Sequence, residues 1–307
     1  MTRVSPPRLP LVDGSLSIGS FADPVLVDPT RPLLAAVVDA YRDAAPTAVD
    51  PSLDALRDAA GADGDPLSPG ATHPTLPTLT VVAADAVVDA LVGRYHPASR
   101  LAALAAAGAV DLRSLDAAQP NPVLAGESDG CVLVAGGGDG DGDGASSAAA
   151  GPWCRVGADA TLRERYDALV SESEPVRLRT PSRHALYGAL AGRCGSAVAD
   201  EAIRLLDAGD DAEPFDRGAA RRRVYAAGAR EGAFDRDLRR ACEDAGLGSA
   251  ATFTRIKRAL LDAGVVATEP VAQPVGRPRH RLVARGALAD ATAATEALEA
   301  VGALESV

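Results

Sequence analysis

Near the C-terminus, basic and small side chains have the types and spacing that contacts to nucleic acid require. Arg255 and Arg258 recur at helical spacing beside Lys257, and Arg277 follows after a Pro-rich segment. A guanidinium can make a bidentate contact to guanine, and either kind of basic side chain can neutralise a phosphate. The candidate DNA-contacting residues are Ser249, Ala251, Thr252, Thr254, Arg255, Lys257, Arg258, Arg277, Arg279 and Arg281.

Two helices joined by a tight turn must position these residues. The first helix is predicted to begin at an Asp235 N-cap and to end at Gly246, which can adopt the positive φ of a helix end. Ser249 is predicted to cap the second helix, which Gly264 ends. The apolar residues of the second helix recur at helical spacing at Phe253, Ile256, Leu260 and Ala263. This pattern predicts a helix-turn-helix, whose second helix enters the major groove.

A helical wheel separates the two faces of the second helix. It places Phe253, Ile256 and Leu260 on the buried side and turns Ala251, Thr254, Arg255 and Arg258 outward, with Lys257 on a flank. Residues 265–268 and 279–283 follow as short strands around a turn that contains Arg277. These strands form a wing whose arginines could reach phosphates or a narrow minor groove.

The charge of this region differs from that of the whole chain. The 307 residues carry a net charge of −11, with 31 basic and 42 acidic side chains. Residues 217–285 alone hold 15 basic and 7 acidic side chains, which leaves the remainder at −19. Because an acidic body repels phosphate, this distribution favours contact with double-stranded DNA through one face only. The alternative is that these arginines form the solvated surface of an ordinary helical domain.

The segments 248–257, 260–266 and 275–282 together resemble the C-terminal winged domain of the haloarchaeal TbsP transcriptional regulators. The resemblance implies a regulator of central carbon metabolism that acts alongside the sugar-responsive regulator TrmB. A single lysine, an excess of acidic residues and 3% aromatic content also fit a salt-rich cytoplasm. Ala250, Ala241 and His280 depart from the residues expected in that family, which are Lys, Trp and Leu.

The N-terminal part alternates strand and helix signals, which predicts an α/β domain with a mixed sheet and helices. Strands are predicted at 24–27, 79–82, 110–112, 131–134 and 154–156, and helices at 32–45, 85–94, 99–107, 162–171, 183–192 and 197–206. The order resembles the phospholipase D-like effector domains of TrmB-type regulators, with Arg165 and Tyr166 on a helix before Pro175. The catalytic His-x-Lys-x4-Asp motif of true phospholipases is absent, because no lysine precedes Lys257.

The predicted domain organisation has four parts. Residues 1–20 are expected to be a disordered tail, and 21–212 an effector or dimerisation domain with flexible loops at about 61–77 and 136–150. Residues 213–285 form the winged helix-turn-helix, and 286–307 a C-terminal helix that packs on that domain or pairs across a homodimer. Dimerisation is attractive because such regulators bind two half-sites.

Residues that could bind metals or act as catalysts are scattered along the chain. The cysteines Cys131, Cys154, Cys194 and Cys242 form no Cys-x-x-Cys pair, and no histidine stands at zinc spacing from them. They are expected to be small buried side chains. We therefore predict no catalytic residues, no metal site and no cofactor.

Residues 136–144 alternate Gly with Asp in the manner of the first half of an EF-hand loop. The twelfth position counted from Asp139 is Ala150, whereas calcium requires a bidentate glutamate there. The composition favours a flexible hairpin insertion, with calcium binding as the alternative. No Gly-Lys-Ser or Gly-Lys-Thr follows the glycines, which excludes a P-loop.

Two classes of function remain open. The first is a DNA-binding transcriptional regulator with an N-terminal effector domain. The second is a ligand-binding or enzymatic α/β protein whose winged helix serves only as a protein-interaction module. Residues 1–16 lack the apolar core of a secretory signal and no apolar run is long enough to cross a bilayer, so a cytoplasmic protein without membrane contact is expected.

Overall fold

The structure is a computed structural model that describes residues 6–11, 14–61, 76–115, 118–133, 153–157, 161–208, 217–275 and 277–302. The chain forms two compact units. The N-terminal unit comprises residues 1–50 and 72–178, and the C-terminal unit comprises 51–71 and 179–307. The predicted loops 61–77 and 136–150 fall mostly or wholly outside the described residues.

The N-terminal unit is built on a six-stranded mixed sheet. Its strands lie in the order β5-β4-β3-β6-β7-β8, with β3, β4 and β5 parallel and the other neighbouring pairs antiparallel. The strands of the unit are β1 (Arg8–Leu11), β2 (Gly14–Ser17), β3 (Val25–Val27), β4 (Leu79–Ala84), β5 (Val110–Leu115), β6 (Val123–Ala125), β7 (Gly130–Leu133) and β8 (Trp153–Gly157).

Helices follow the strands and then dominate the C-terminal unit. They are α1 (Arg31–Ala44), α2 (Pro46–Val49), α3 (Leu53–Gly61), α4 (Asp85–Val92), α5 (Tyr95–Ala106), α6 (Thr161–Glu172), α7 (Arg183–Cys194), α8 (Ser196–Asp207), α9 (Arg217–Arg230), α10 (Asp235–Asp244), α11 (Ala250–Asp262), α12 (Ala287–Asp290) and α13 (Ala294–Gly302). The last two strands, β9 (Val266–Val271) and β10 (Arg279–Ala284), form an antiparallel pair.

Both faces of the mixed sheet are covered by helices. Leu26 and Leu112 share a buried cluster with residues of α1, α4 and α5, such as Leu34 and Leu101. Residues of the opposite face, such as Val27, pack against α6. Burial on both faces explains the nearly continuous apolar sequences of these strands. The predicted α/β class with a mixed sheet is confirmed.

Residues 1–20 were expected to be a disordered tail, and that expectation is wrong for the described part. Strands β1 and β2 form a hairpin, followed by a short 3-10 helix at Ile18–Ser20. Leu9, Leu16 and Ile18 are buried in the main core. The apolar residues at alternate positions are typical of β-strands, but the prolines of the segment obscured this pattern.

The boundary between the units differs from the predicted one, which separates 21–212 from 213–285 at a junction at Glu213-Pro214. Helices α7 and α8 belong to the C-terminal unit, where α7 packs on α10 and α8 packs on α9. Helix α3 joins them although it lies far earlier in the sequence, and Arg57 of α3 donates to Asp200 of α8 at 2.9 Å. The local sequence of α3 does not indicate that it joins this unit, because the joining depends on packing between distant segments.

Two buried ionic contacts hold the helices of the C-terminal unit together. Arg183, 5% exposed, donates to Asp207 at 2.8 Å and to the carbonyl of Pro51 at 2.9 Å. Glu201, 6% exposed, accepts from Arg230 of α9 at 2.7 Å. The arginine side chains therefore bridge α7 to α8 and α8 to α9.

The C-terminal helix α13 packs within its own unit, against α8 and α9. Ala297 and Val301 are buried there, as is Leu288 of α12. Of the two arrangements predicted for this segment, the structure has the one in which it packs on the winged domain.

The described cysteine side chains show two degrees of burial. Cys131 and Cys242 are buried, whereas Cys194 is half-buried, and the side chain of Cys154 lies outside the described set. Burial raises the pKa of the Cys194 thiol to about 11. The thiol is therefore un-ionised at neutral pH and has little nucleophilic character.

Candidate nucleic-acid interface

The predicted helix-turn-helix and wing are present in the C-terminal unit. Helices α9, α10 and α11 pack together and the β9–β10 hairpin follows them. Gly246 has a φ of +80° after α10, and Gly264 has a φ of +71° after α11. The Ser249 hydroxyl accepts a hydrogen bond from the amide of Thr252 at 3.3 Å, so it caps α11 as predicted.

The core beneath α11 fixes the angle at which this helix is presented. Phe253 and Leu260 are fully buried, and the Phe253 ring stacks on Tyr225 of α9 at 6.2 Å between centroids. Gly228 of α9 lets α10 approach closely, because a Cβ there would lie 2.4 Å from a methyl group of Leu238. Rigid packing of this kind is what a helix needs if it is to read bases.

The outward face of α11 carries the residues that the wheel turns away from the core. Ala251, Thr254, Arg255 and Arg258 are exposed. The Arg258 side chain is 84% exposed and lies 3.9 Å from Asp262, which is a weak surface pair. The Thr254 hydroxyl donates to the carbonyl of Ala250 at 2.8 Å and can still accept a hydrogen bond.

Lys257, predicted to be a flank residue that contacts phosphate, lies in an internal ion pair. Its Nζ is 3.0 Å from Oδ2 of Asp235, and its side chain is only 21% exposed. Arg239 lies 3.2 Å from the same oxygen. A lysine held in this way orients α11 against α10, so the structure does not place it among the outward side chains of the face.

Asp235 was predicted to cap α10 and instead is its first helical residue, after an N-cap at Phe234. Asp235 is 6% exposed, and its carboxylate accepts hydrogen bonds from Tyr225 and Lys257 and forms an ion pair with Arg239. Burial, together with the neighbouring Asp235 charge, raises the pKa of the Tyr225 hydroxyl far above its ordinary value. The phenol therefore remains protonated and donates to Asp235. The Asp235 side chain points inward, toward Lys257 and Arg239, and not toward the backbone amides of α10.

The three predicted wing arginines lie in different surroundings. Arg277 is exposed at the wing turn, and Arg281 is exposed with its guanidinium 5.6 Å from the Phe234 ring. Arg279 pairs with Asp237 of α10 and stacks over Phe234 at 3.8 Å. Arg279 therefore fastens the wing to α10, whereas Arg277 remains available to a ligand.

Several other arginines of the basic region are used inside the protein. Arg221 donates to the carbonyl of Leu247 in the helix-turn-helix turn at 2.7 Å, and Arg223 donates to the carbonyl of Leu205 at 3.3 Å. The positive charge of residues 217–285 is thus partly structural. The exposed arginines of α10, α11 and the wing are Arg236, Arg240, Arg255, Arg258, Arg277 and Arg281.

Arg236 and Arg240 were not among the predicted contact residues. They stand four positions apart on α10, and both are exposed. Their spacing on one helix face was the signal that could have identified them. The predicted contact set covered only the second helix, with its cap, and the wing.

The described residues also bear on metal-binding and membrane-spanning sites. No group of three or more His, Cys, Asp or Glu side chains there is arranged to hold a metal ion. Within the same residues, no helix combines the length and hydropathy needed to span a bilayer.

Comparison with curated proteins and with solved structures returned no match. A family match is found for the C-terminal unit, where the geometry described above lies. Residues 182–302 match the family described as "Transcriptional regulator TbsP-like, C-terminal HTH domain". The match begins with α7, which agrees with the unit boundary and not with the predicted junction at Glu213-Pro214. This segment of the chain is thus similar to the C-terminal helix-turn-helix domain of TbsP-like transcriptional regulators.

Proposed function

We propose that this protein binds double-stranded DNA through α11 and the wing, and regulates transcription by doing so. The observation that carries the proposal is the exposed pair Arg255 and Arg258, which lies on the second helix of a helix-turn-helix above a buried core. Each guanidinium can donate two parallel hydrogen bonds to O6 and N7 of guanine. Ala251 and Thr254, small and exposed beside them, allow the helix backbone to approach the base edges.

The N-terminal α/β unit is proposed to be the sensing or dimerising part of the regulator, without catalytic activity. A homodimer would place two α11 helices on successive half-sites of one DNA face. The acidic excess outside the winged domain supports this division of roles, because a net charge of −19 does not attract phosphate.

The family match and the composition support a more specific proposal for the biological setting. We propose that the protein acts in the cytoplasm of a halophilic archaeon on genes of central carbon or sugar metabolism, with targets shared by a TrmB-type regulator. Molar salt weakens phosphate contacts strongly, so base contacts and dimerisation must supply much of the affinity.

Genome-wide occupancy of the tagged full chain, mapped with and without glucose, tests the proposed function. Discrete sites upstream of metabolic genes, with occupancy that changes with glucose, are the expected result. The matched control is the tagged double variant R255A/R258A, which should lose these sites while its cellular level stays the same. Occupancy that is the same for the parent and the double variant would argue for the protein-interaction alternative.

A further inference from the structure

A cleft of about 740 Å³ lies between the first turns of α10 and the outer part of the wing. Five arginines and two aspartates line it, together with a histidine and uncharged residues. The α10 wall carries Arg236 and Arg240, and the wing wall carries Arg277 and Val275. The lining of the cleft includes none of the α11 residues to which DNA contacts are assigned.

Both aspartates of the cleft already have cationic partners. Asp237 pairs with Arg279, and Asp235 pairs with Lys257 and Arg239. The remaining arginines, Arg236, Arg240 and Arg277, are exposed and make no ion pair with any described residue. The free charge of the cleft is therefore positive, and its natural ligand is an anion.

The lining favours an extended anion over a small enclosed ligand. Pockets for small molecules are mostly apolar and bury most of the ligand surface, whereas the arginines here are exposed to water. Arg236 and Arg240 are four residues apart on α10, or about 6 Å along the helix axis. At that separation they can reach neighbouring phosphates of a single strand.

The wing side of the cleft adds a second observation. Val275 is 90% exposed and is the one large exposed hydrophobic side chain among the described residues. An apolar side chain beside free arginines suits a polymer that alternates charged phosphates with less polar sugars. A free phosphate ion has no apolar surface that such a side chain could contact.

We propose that this cleft holds the sugar-phosphate backbone of one DNA strand, with Arg236 and Arg240 contacting its phosphates. The proposal rests on the proposed DNA-binding function and deepens it. It assigns to α10 the phosphate contact that the sequence suggested for Lys257, which is engaged with Asp235. The contacts would position α11 over the bases without reading their sequence.

The test uses the full chain and its variant R236Q/R240Q, with fluorescence anisotropy on specific and scrambled duplexes over a KCl series. Each lost phosphate contact lowers the slope of log K against log salt by about 0.9, so the double variant should lose nearly two. Affinity for both duplexes should fall alike, on the order of tenfold at the lowest salt. Base preference should be retained.

Two control variants separate phosphate contact from general charge. R31Q/R177Q removes the same charge from exposed arginines of the N-terminal unit and should leave the salt slope unchanged. R236K/R240K keeps both charges and should keep most of the slope, because phosphate accepts from lysine as well. Thermal unfolding should give equal midpoints for all variants. If R236Q/R240Q does not fold, R236Q and R240Q singly should each lose about one unit of slope.

The possible failures are distinguishable. If the parent chain binds no duplex at all, the proposed function fails and the strand site fails with it. If the parent binds but R236Q/R240Q keeps its affinity and slope, the strand site is wrong and the proposed function stands. Inorganic phosphate should compete no better than KCl of equal ionic strength. Stronger competition by phosphate for the parent than for R236Q/R240Q would assign the cleft to a free phosphate and overturn the proposal.

Discussion

Helix α11 carries cations in two different settings, and only one of them faces solvent. Arg258 has a side chain that is 84% exposed, whereas the adjacent Lys257 is 21% exposed and bonded to Asp235. One step along the helix turns a side chain by about 100°, which moves it from the outer face to the face against α10. Charge alone therefore does not identify a DNA contact, because the orientation on the helix decides the role.

The inner setting is a cluster that joins three helices. Asp235 of α10 accepts hydrogen bonds from Tyr225 of α9 and Lys257 of α11. Arg239 of α10 adds a second cation beside the same carboxylate. We expect this inner cluster to determine the stability of the winged domain, and the outer arginines to determine its affinity for DNA.

The largest effect is expected at the centre of the inner cluster. D235N removes the charge that Lys257 and Arg239 share, and leaves two partly buried cations facing a neutral amide. The loss should be about 3 kcal/mol of unfolding free energy, at the lower end for buried pairs because both cations reach water. Urea unfolding followed by circular dichroism measures this loss.

D262N provides the matched control for that change. It removes a carboxylate that is 75% exposed and lies 3.9 Å from Arg258, so it should cost no more than about 0.5 kcal/mol. Equal unfolding midpoints for D235N and the parent chain would refute the structural role of the inner cluster.

The outer arginines should show the opposite pattern. R255A and R258A are each expected to cost about 1–3 kcal/mol of specific DNA binding, with relaxed base preference and unchanged unfolding midpoints. Lysine at either position keeps the charge but not the paired geometry, so R255K should retain non-specific affinity and lose specificity. Anisotropy with single-base variants of the specific duplex measures both. If either alanine variant destabilises the fold without changing DNA binding, the comparison between the two settings is reversed.

Lys257 links the two settings, and K257M tests which one it belongs to. The carboxylate of Asp235 keeps Arg239 and Tyr225 as partners in this variant, so the loss of stability should be smaller, about 1 kcal/mol. The salt slope should remain that of the parent, because no phosphate contact is removed. A slope reduced by about one in K257M, with stability unchanged, would return Lys257 to the phosphate-contacting set.

The sequence predicted helix α11 well because its signals are local. Ser249 at the cap and Gly246 and Gly264 beyond the helix ends act within one turn of the chain, and each has the predicted role. Phe253 and Leu260 are buried as their helical spacing predicts, whereas Ile256 is half-buried and Ala263 is exposed. Local chemistry of this kind is independent of the rest of the fold.

The errors arose where the outcome depends on distant partners. Asp235 was expected to cap its helix, but cations from α10 and α11 compete for its carboxylate. Helix α3 joined the C-terminal unit through partners such as Asp200, far away in sequence. The internal role of Arg221 of α9 could not be predicted, because its acceptor, the carbonyl of Leu247, lies in the turn between α10 and α11. No single-sequence pattern reports such tertiary pairings.

The smallest effect is expected at the wing, where Arg277 is exposed and Arg279 is fastened to Asp237. If Arg277 enters the minor groove, R277A should lose preference for A·T steps beside the recognition site, because narrow A·T grooves concentrate negative potential. R279A should instead release the wing from α10 and weaken binding to all flanking sequences alike. Anisotropy with duplexes that differ only in A·T or G·C flanks separates the two variants. Equal loss on both flanks for R277A would place Arg277 on the phosphates, with Arg236 and Arg240.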